Sequence, residues 1–135
     1  MKAWKSITII VAAYLFCFSA GPTTAQDKDT TKQEKSRTYT FAKDIAPIIE
    51  KYCMSCHGSD NENPSDLYMD DFATLMKGGK HGVPVVPGSP EKSLMYQKLE
   101  PDPPFGKQMP RGRKKITPEA VKVIHDWIEQ GAKEK

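Results

Sequence analysis

Apolar residues recur at helical spacing in two stretches of the chain. In the first stretch, one helical face carries Phe41, Ile45, Ile48, Ile49 and Tyr52. In the second stretch, one helical face carries Ala120, Ile124, Trp127, Ile128 and Gly131. A stripe of this period predicts an amphipathic helix. We therefore expect one helix over 41–52 and another that begins at Thr117-Pro118-Glu119 and stops at Gly131.

Pro47 restricts where the first helix begins. Proline lacks an N–H group and is tolerated in the first turn, where that group has no partner within the helix. We therefore predict that Asp44 is the N-cap, that the regular helix starts at Ile45 and that Gly58 ends it.

The rest of the chain predicts short helices separated by long loops. A short helix is expected over 71–77, stopped by Gly78 and Gly79, and Ser89-Pro90-Glu91 is expected to open a helix that runs to about Leu99. Eleven prolines and nine glycines favour irregular connections, and no alternating run of β-branched residues predicts a strand. The sequence therefore predicts an all-α fold.

The N-terminal residues are expected to lie outside the folded domain. Two lysines precede an uncharged, mostly apolar run over 7–20, and small residues follow it, which predicts a secretory signal peptide over 1–25 and a periplasmic protein. An uncleaved membrane anchor is the alternative, although the run is shorter than the roughly 20 residues that a spanning helix needs. Polar residues 26–38 predict a flexible leader, and 39–135 form the predicted domain.

The charge and the cysteine count exclude some classes of protein. The formal net charge is only +3, because basic and acidic residues nearly balance. This balance does not indicate the concentrated basic face of a nucleic-acid-binding protein. Cys17 would be removed with the signal peptide, so the exported chain keeps Cys53 and Cys56. Two cysteines in an exported protein would ordinarily form a disulfide. Here His57 follows Cys56 directly, and this changes the interpretation.

The segment Cys53-Met54-Ser55-Cys56-His57 has the spacing of the motif that attaches haem c. Two thiols at this spacing can reach the two vinyl groups of one haem, and the adjacent imidazole then becomes the proximal iron ligand. Three alternatives fit less well. A thioredoxin-like site needs a preceding strand, a zinc site needs a second ligand pair, and a disulfide at this spacing would be strained. One motif predicts one covalent haem c.

The sixth iron ligand is sought among the remaining methionines and histidines. Met109 lies in a loop before the last helix, and Pro110 stiffens that loop, so that its thioether can cross to the far side of a haem. His81 is the alternative protein ligand, and an iron without a sixth protein ligand is the other alternative. We predict His57 as the proximal ligand and Met109 as the distal ligand.

These motifs together resemble those of a class I cytochrome c and, more closely, those of the planctomycete-type cytochrome c domain. The resemblance covers about 41–132. It rests on Asp44-Ile45-Ala46-Pro47-Ile48-Ile49, Cys53–His57, Lys77-Gly78-Gly79 with Gly82, Val86-Pro87-Gly88-Ser89-Pro90, Ser93-Leu94, Met109-Pro110 and Trp127-Ile128-Glu129-Gln130-Gly131-Ala132. It implies a cytochrome c fold in which the N- and C-terminal helices cross and long loops wrap around one haem. In that family Cys53 and Cys56 would carry the haem, and His57 and Met109 would be axial. Arg111 stands where a second proline is common, so we expect this loop to differ in shape from that of the family.

An iron held by His and Met exchanges electrons without making or breaking bonds. We therefore expect an exported monohaem electron carrier and not an enzyme, held at a membrane only if the N-terminal segment is retained. Two alternatives stay open. One is a gas sensor or enzyme with an open or His81-ligated iron, and the other is a recognition or tethering module in which the haem is mainly structural. Domains of this family are often fused to enzymes, and we expect any enzyme partner to be a separate protein.

A basic cluster surrounds Met109 in the sequence. Its members are Lys107, Arg111, Arg113, Lys114 and Lys115. The plain interpretation is a solvated loop. The functional interpretation is a docking face for an acidic redox partner protein, or a charge that neutralises the haem propionates.

Overall fold

The computed structural model describes residues 37–112 and 114–135. The signal peptide predicted over 1–25, all but the end of the leader predicted over 26–38, and Arg113 lie outside the described residues. The described part is helical and contains no β-strand, apart from an isolated bridge between Gly79 and Gly82. This is compatible with the predicted all-α class. None of the helices in the described part is both long enough and apolar enough to cross a membrane.

The helical elements are short, except for the last. In chain order they are a π-helical turn Phe41–Ile45, α1 Ala46–Tyr52, α2 Met54–His57, α3 Phe72–Lys77, a 3₁₀ turn Pro90–Lys92, α4 Leu94–Gln97 and α5 Pro118–Glu129. Long connections join α2 to α3 and α4 to α5. Both connections contribute to the candidate site described below.

The first helix begins differently from the prediction. A π-helical turn comes first, and α1 starts after it with Ile45 as its N-cap and without a side-chain cap. The prediction of Asp44 as the N-cap is therefore wrong. Its buried carboxylate instead accepts hydrogen bonds from the Thr40 amide at 2.9 Å and from the Arg37 guanidinium at 2.6 Å. Because the π-helical turn delays the start of α1, Pro47 falls in the first turn, where its missing N–H has no helical partner to lose.

The prediction of a single helix from Ser89 to about Leu99 is also wrong. Ser93 has an extended backbone with ψ of 114° and separates the 3₁₀ turn from α4. Its buried hydroxyl accepts from the Val86 amide at 2.8 Å and donates to the Ser89 carbonyl at 2.9 Å. A serine side chain that competes for backbone groups in this way interrupts a regular helix.

The short helix α3 and the last helix α5 begin and end as predicted. The Asp71 side chain accepts an amide hydrogen bond at 2.7 Å at the start of α3, and Gly78 ends that helix with φ of 77°. The Thr117 hydroxyl accepts an amide hydrogen bond at 3.3 Å at the start of α5, and Gly131 follows its end with φ of 98°. Both helices are therefore bounded by local cap chemistry.

The two ends of the described chain meet in the core. The ring centroid of Phe41 lies 5.5 Å from that of Phe72 and 6.2 Å from that of Trp127. Trp127 is fully buried, and its indole N–H donates to the Lys133 carbonyl at 2.9 Å. The Phe41 amide donates to the same carbonyl at 2.9 Å. Around these rings, the fully buried side chains include Ile45, Ile49, Leu75, Val85, Ile124 and Ile128.

Gln130 joins the start of the described chain to the end of α5. Its Oε1 accepts from the Tyr39 amide at 2.8 Å, and its Nε2 donates to the Arg37 carbonyl at 2.9 Å. Arg37, near the end of the predicted leader, is therefore in contact with the domain.

Candidate functional site

A cavity of about 650 Å³ opens beside the core. Its wall contains Cys53, Cys56, His57 and Met109, and also the alternative ligand His81. Apolar side chains line much of the rest, among them Tyr52, Leu67, Leu94, Leu99, Ile116 and Ile124. The cavity therefore brings together the residues that the sequence predicts as haem attachment sites and iron ligands, although they are far apart in the chain.

The attachment segment spans the junction of α1 and α2. Cys53 lies between the two helices and is half-buried, whereas Cys56 lies within α2 and is exposed, and both are free thiols. Burial, and to a smaller extent the neighbouring Cys56, raises the pKa of the Cys53 thiol to about 11. This thiol is therefore protonated at neutral pH, in contrast to the lowered pKa of the reactive thiol in thioredoxin-like motifs.

The imidazole of His57 is oriented by a backbone carbonyl. Its Nδ1 lies 2.9 Å from the Leu67 carbonyl oxygen. Because a carbonyl can only accept, Nδ1 carries the hydrogen and donates it. Nε2 then keeps its lone pair, which is the form of histidine that binds a metal. The backbone of the same loop is fixed to α2, since the Met69 amide donates to the His57 carbonyl at 2.9 Å.

Asn63 contacts the same group and was not identified from the sequence. Its side chain is buried, its Nδ2 donates to the Leu67 carbonyl, and that nitrogen lies 3.2 Å from His57 Nδ1. Its Oδ1 accepts from the Ser65 amide at 3.1 Å and from the Ser65 hydroxyl at 2.7 Å. In the sequence Asn63 is one polar residue among many in a loop, so no pattern distinguishes it.

Met109 is attached to the end of α4 through its backbone. Its amide donates to the Lys98 carbonyl at 2.7 Å, and the side chain of the preceding Gln108 donates to the Leu99 carbonyl at 2.6 Å. The Met109 side chain is half-buried, and the Met109–Pro110 peptide bond is cis. The residue thus lies in a loop, as predicted, and on the wall of the cavity.

Other possible iron ligands also line the cavity. His81 is exposed, and its ring centroid lies 4.4 Å from that of Phe105. Met69 and Met95 are buried and contribute to the wall as well. No pattern in the sequence distinguishes these two methionines as residues that face a cavity.

Positive charge collects at the Met109 end of the cavity, where Lys98, Lys107 and Arg111 contribute to the wall. Burial, and then the nearby Arg111, lowers the pKa of Lys98. The Lys98 ammonium donates to the Phe105 carbonyl and lies 4.5 Å from the centroid of that ring. Of the basic cluster, Lys107, Arg111, Lys114 and Lys115 are exposed, and Arg113 lies outside the described residues.

The donors on the cavity wall fit a haem c. Two thiols at the attachment spacing, an imidazole with a free Nε2 and a thioether match covalent attachment and axial ligation. The apolar lining suits a flat hydrophobic ring. The donor set of the cavity is therefore that of a c-type cytochrome.

Comparison with known proteins agrees with this class. Residues 53–111 match the family described as planctomycete cytochrome C. A hydrazine synthase subunit alpha from Kuenenia stuttgartiensis is 30% identical over 113 residues, which cover 84% of this chain and 12% of that subunit. No solved structure shows a significant match. The matches confirm the resemblance to the planctomycete-type cytochrome c domain, and this family implies a covalently bound haem c.

Proposed function

We propose that the protein is an exported, periplasmic electron carrier with one haem c. The observation that supports this proposal is that Cys53, Cys56, His57 and Met109 all contribute to the wall of one cavity. The signal-peptide pattern over 1–25 supports export. We also infer a class I cytochrome c fold, in which the terminal helices cross and the two long connections wrap around the haem.

In this proposal each residue of the site has a defined role. Cys53 and Cys56 would hold the haem covalently, and His57 and Met109 would supply the protein ligands to its iron. His57 keeps Nε2 free for the iron because its Nδ1 donates to the Leu67 carbonyl at 2.9 Å. The apolar lining keeps water from the site. The haem supplies one-electron exchange when bound, and axial methionine raises its potential.

The matching relative supports a second candidate function. That relative is a subunit of an enzyme, and it resembles this chain over 84% of the chain's length. We therefore also consider a haem domain that acts together with an enzyme, with an iron that is open or ligated by His81. The two candidates differ in whether Met109 fills the sixth position of the iron, and only an iron with that position open binds a small molecule.

Spectra of the purified holoprotein separate the two candidates. The electron carrier predicts a covalent haem band on a denaturing gel and a low-spin spectrum in both oxidation states that CO leaves unchanged. A ferrous spectrum that shifts on addition of CO would contradict His57 and Met109 ligation and favour the second candidate. Met109→Ala is the positive control, since it should open the iron to CO.

We further propose that redox partner proteins dock at the basic cluster. Its described members are exposed, and Lys107 and Arg111 also contribute to the cavity wall. The Lys114 ammonium lies 5.4 Å from the ring of Tyr52, another residue of that wall. A partner bound to these charges would therefore approach the haem, and such charges act mainly on the rate of association.

A further inference from the structure

We infer that Asn63 is a positioning residue that sets how strongly His57 donates electrons to the haem iron. The inference rests on the proposed function, because it concerns the ligand that this function assigns. Asn63 also contributes to the wall of the cavity. It acts through the Leu67 carbonyl, which accepts hydrogen bonds from both side chains.

The two donors meet at one oxygen. His57 Nδ1 lies 2.9 Å from the Leu67 oxygen, and Asn63 Nδ2 donates to the same oxygen. Asn63 Nδ2 and His57 Nδ1 lie 3.2 Å apart. They do not hydrogen-bond to each other, because each nitrogen donates a hydrogen to the Leu67 carbonyl and neither has a lone pair to accept one. The Asn63 amide and the His57 imidazole therefore compete for the same acceptor, the Leu67 carbonyl oxygen.

This geometry is held from several directions. Asn63 is buried, and its Oδ1 is fixed by the Ser65 amide at 3.1 Å and the Ser65 hydroxyl at 2.7 Å. The Lys80 amide donates to the Ser65 carbonyl, and the Lys80 ammonium donates to the Pro64 carbonyl, each at 2.8 Å. A buried amide with both ends engaged has a defined orientation, so it can bias the histidine in a constant way.

The direction of the effect follows from the sharing of the carbonyl. A stronger hydrogen bond from Nδ1 makes an imidazole a more basic metal ligand. A more basic ligand stabilises ferric iron over ferrous iron and lowers the reduction potential. Because Asn63 occupies part of the capacity of the Leu67 oxygen, it weakens the His57 hydrogen bond and holds the potential above the value that Leu67 alone would give.

The test substitutes Asn63 in the holoprotein and measures the reduction potential by spectroelectrochemical titration. Asn63→Asp is nearly isosteric and keeps an oxygen for Ser65, but it replaces the amide donor with an acceptor facing His57 Nδ1. It should lower the potential by the equivalent of about tenfold in the ferric-to-ferrous ratio, which is about 59 mV for one electron. Asn63→Ala should lower it by less. The low-spin spectrum should be retained in both variants.

Asn61 offers a matched control on the same loop. Like Asn63 it contributes to the cavity wall, but its side chain is exposed, and its amide donates to the Met54 carbonyl at 3.1 Å and not to Leu67. Asn61→Asp adds the same charge at nearly the same position in the chain, and Asn61→Ala removes the same group. The effect of Asn63→Asp should clearly exceed that of Asn61→Asp, whose charge reaches the iron only through space.

Each outcome decides the question. Equal potentials in the Asn63 and Asn61 variants, or a higher potential in Asn63→Ala, would overturn the inference. Loss of holoprotein in both Asn63 variants with intact Asn61 controls would also overturn it, because Asn63 would then serve folding. A wild-type protein without covalent haem would instead refute the proposed function, before any potential is measured.

Discussion

The two sides of the cavity are built in different ways. On the His57 side, buried Asn63 and the Leu67 carbonyl form one hydrogen-bond network with the imidazole, and the Ser59 hydroxyl donates to Asp70 at 2.9 Å where the loop closes. On the Met109 side, most described residues from 101 to 112 are exposed. Met109 itself is held there by its amide, which donates to the Lys98 carbonyl at 2.7 Å.

This difference separates two requirements of the proposed haem site. The attachment side must present two thiols and an imidazole in one fixed geometry, and its loop is ordered around a buried side chain, that of Asn63. The opposite side needs to supply one thioether from a flexible side chain. We therefore expect substitutions to be poorly tolerated on the His57 side and better tolerated on the Met109 side.

The largest effect is expected at the attachment segment. Cys53→Ala or Cys56→Ala should reduce or abolish covalent haem, and His57→Ala should prevent a normal low-spin product, because each removes a bond to the cofactor. Haem staining after denaturing electrophoresis and absorption spectra of the exported protein are the measurements. Cys17→Ala is the control and should leave the haem band unchanged, because Cys17 lies in the predicted signal peptide.

A smaller effect is expected at Met109. Met109→Ala should keep the covalent haem band and open the iron to CO, and Met109→His should keep a low-spin iron with a lower potential. Met69→Leu and Met95→Leu are the controls, because both methionines also line the cavity. If one of these variants opens the iron and Met109→Ala does not, the distal ligand is reassigned to that methionine. An unchanged ferric spectrum in both Met109 variants, with neither control opening the iron, would reassign it to His81.

Alanine substitutions at two glycines test how tightly the two sides of the cavity are packed. A Cβ on Gly79 would overlap the Ser65 carbonyl oxygen and lie 2.7 Å from the Leu67 amide nitrogen, both backbone atoms of the His57 side. Gly106, on the Met109 side, has φ of 61°, and its Cβ would meet only the end of the Lys98 side chain at 3.7 Å. Gly79→Ala should therefore lower the free energy of unfolding by up to about 3 kcal/mol, and Gly106→Ala by about 1 kcal/mol.

Chemical denaturation of the two holoproteins measures this difference. Equal losses of stability would show that the two loops are packed alike, and the comparison between the sides would then be wrong.

The smallest effect is expected at the basic cluster. Charge reversal of Arg111, Arg113, Lys114 and Lys115 should slow electron exchange with an acidic partner about tenfold at low ionic strength. The effect should shrink in high salt because exposed charges are screened. Stopped-flow kinetics against salt concentration is the measurement.

A matched control reverses four exposed lysines elsewhere, Lys43, Lys92, Lys133 and Lys135, for the same change in net charge. Equal rates in the two reversed proteins would assign the effect to net charge and not to docking at the cluster. An unchanged rate in the cluster variant would leave the cluster as a solvated loop.

The sequence was most informative where one short segment determines the outcome. The Thr117 start of α5 was predicted correctly because the residues responsible are neighbours in the chain, and the attachment motif is likewise contained in five consecutive residues. The roles of Asp44 and Ser93 were predicted wrongly because helix propensity does not show which groups their side chains bind in the folded chain. Asp44 binds Arg37 and the Thr40 amide rather than capping α1, and Ser93 binds Val86 and interrupts a helix that local propensity favours.

The candidate site shows the same division. Its cysteines and histidine follow from spacing, and Met109 follows from its loop. The Asn63 network could not be predicted, because it depends on how the loop over 58–70 turns back onto α2. The inward faces of Met69 and Met95 likewise depend on packing around a cavity, for which apolar periodicity carries no signal.

Gln130 and Lys133, which follow α5, form hydrogen bonds with residues at the start of the described chain. The hydrogen bond from the Tyr39 amide to Gln130 joins positions 91 residues apart. A chain exported N-terminus first, as proposed above, cannot form this bond until Gln130 has crossed the membrane. We therefore expect the attachment segment to meet its haem while the terminal helices are still apart. A chain truncated after Glu129 should accordingly acquire covalent haem without reaching the protease resistance of the full-length protein.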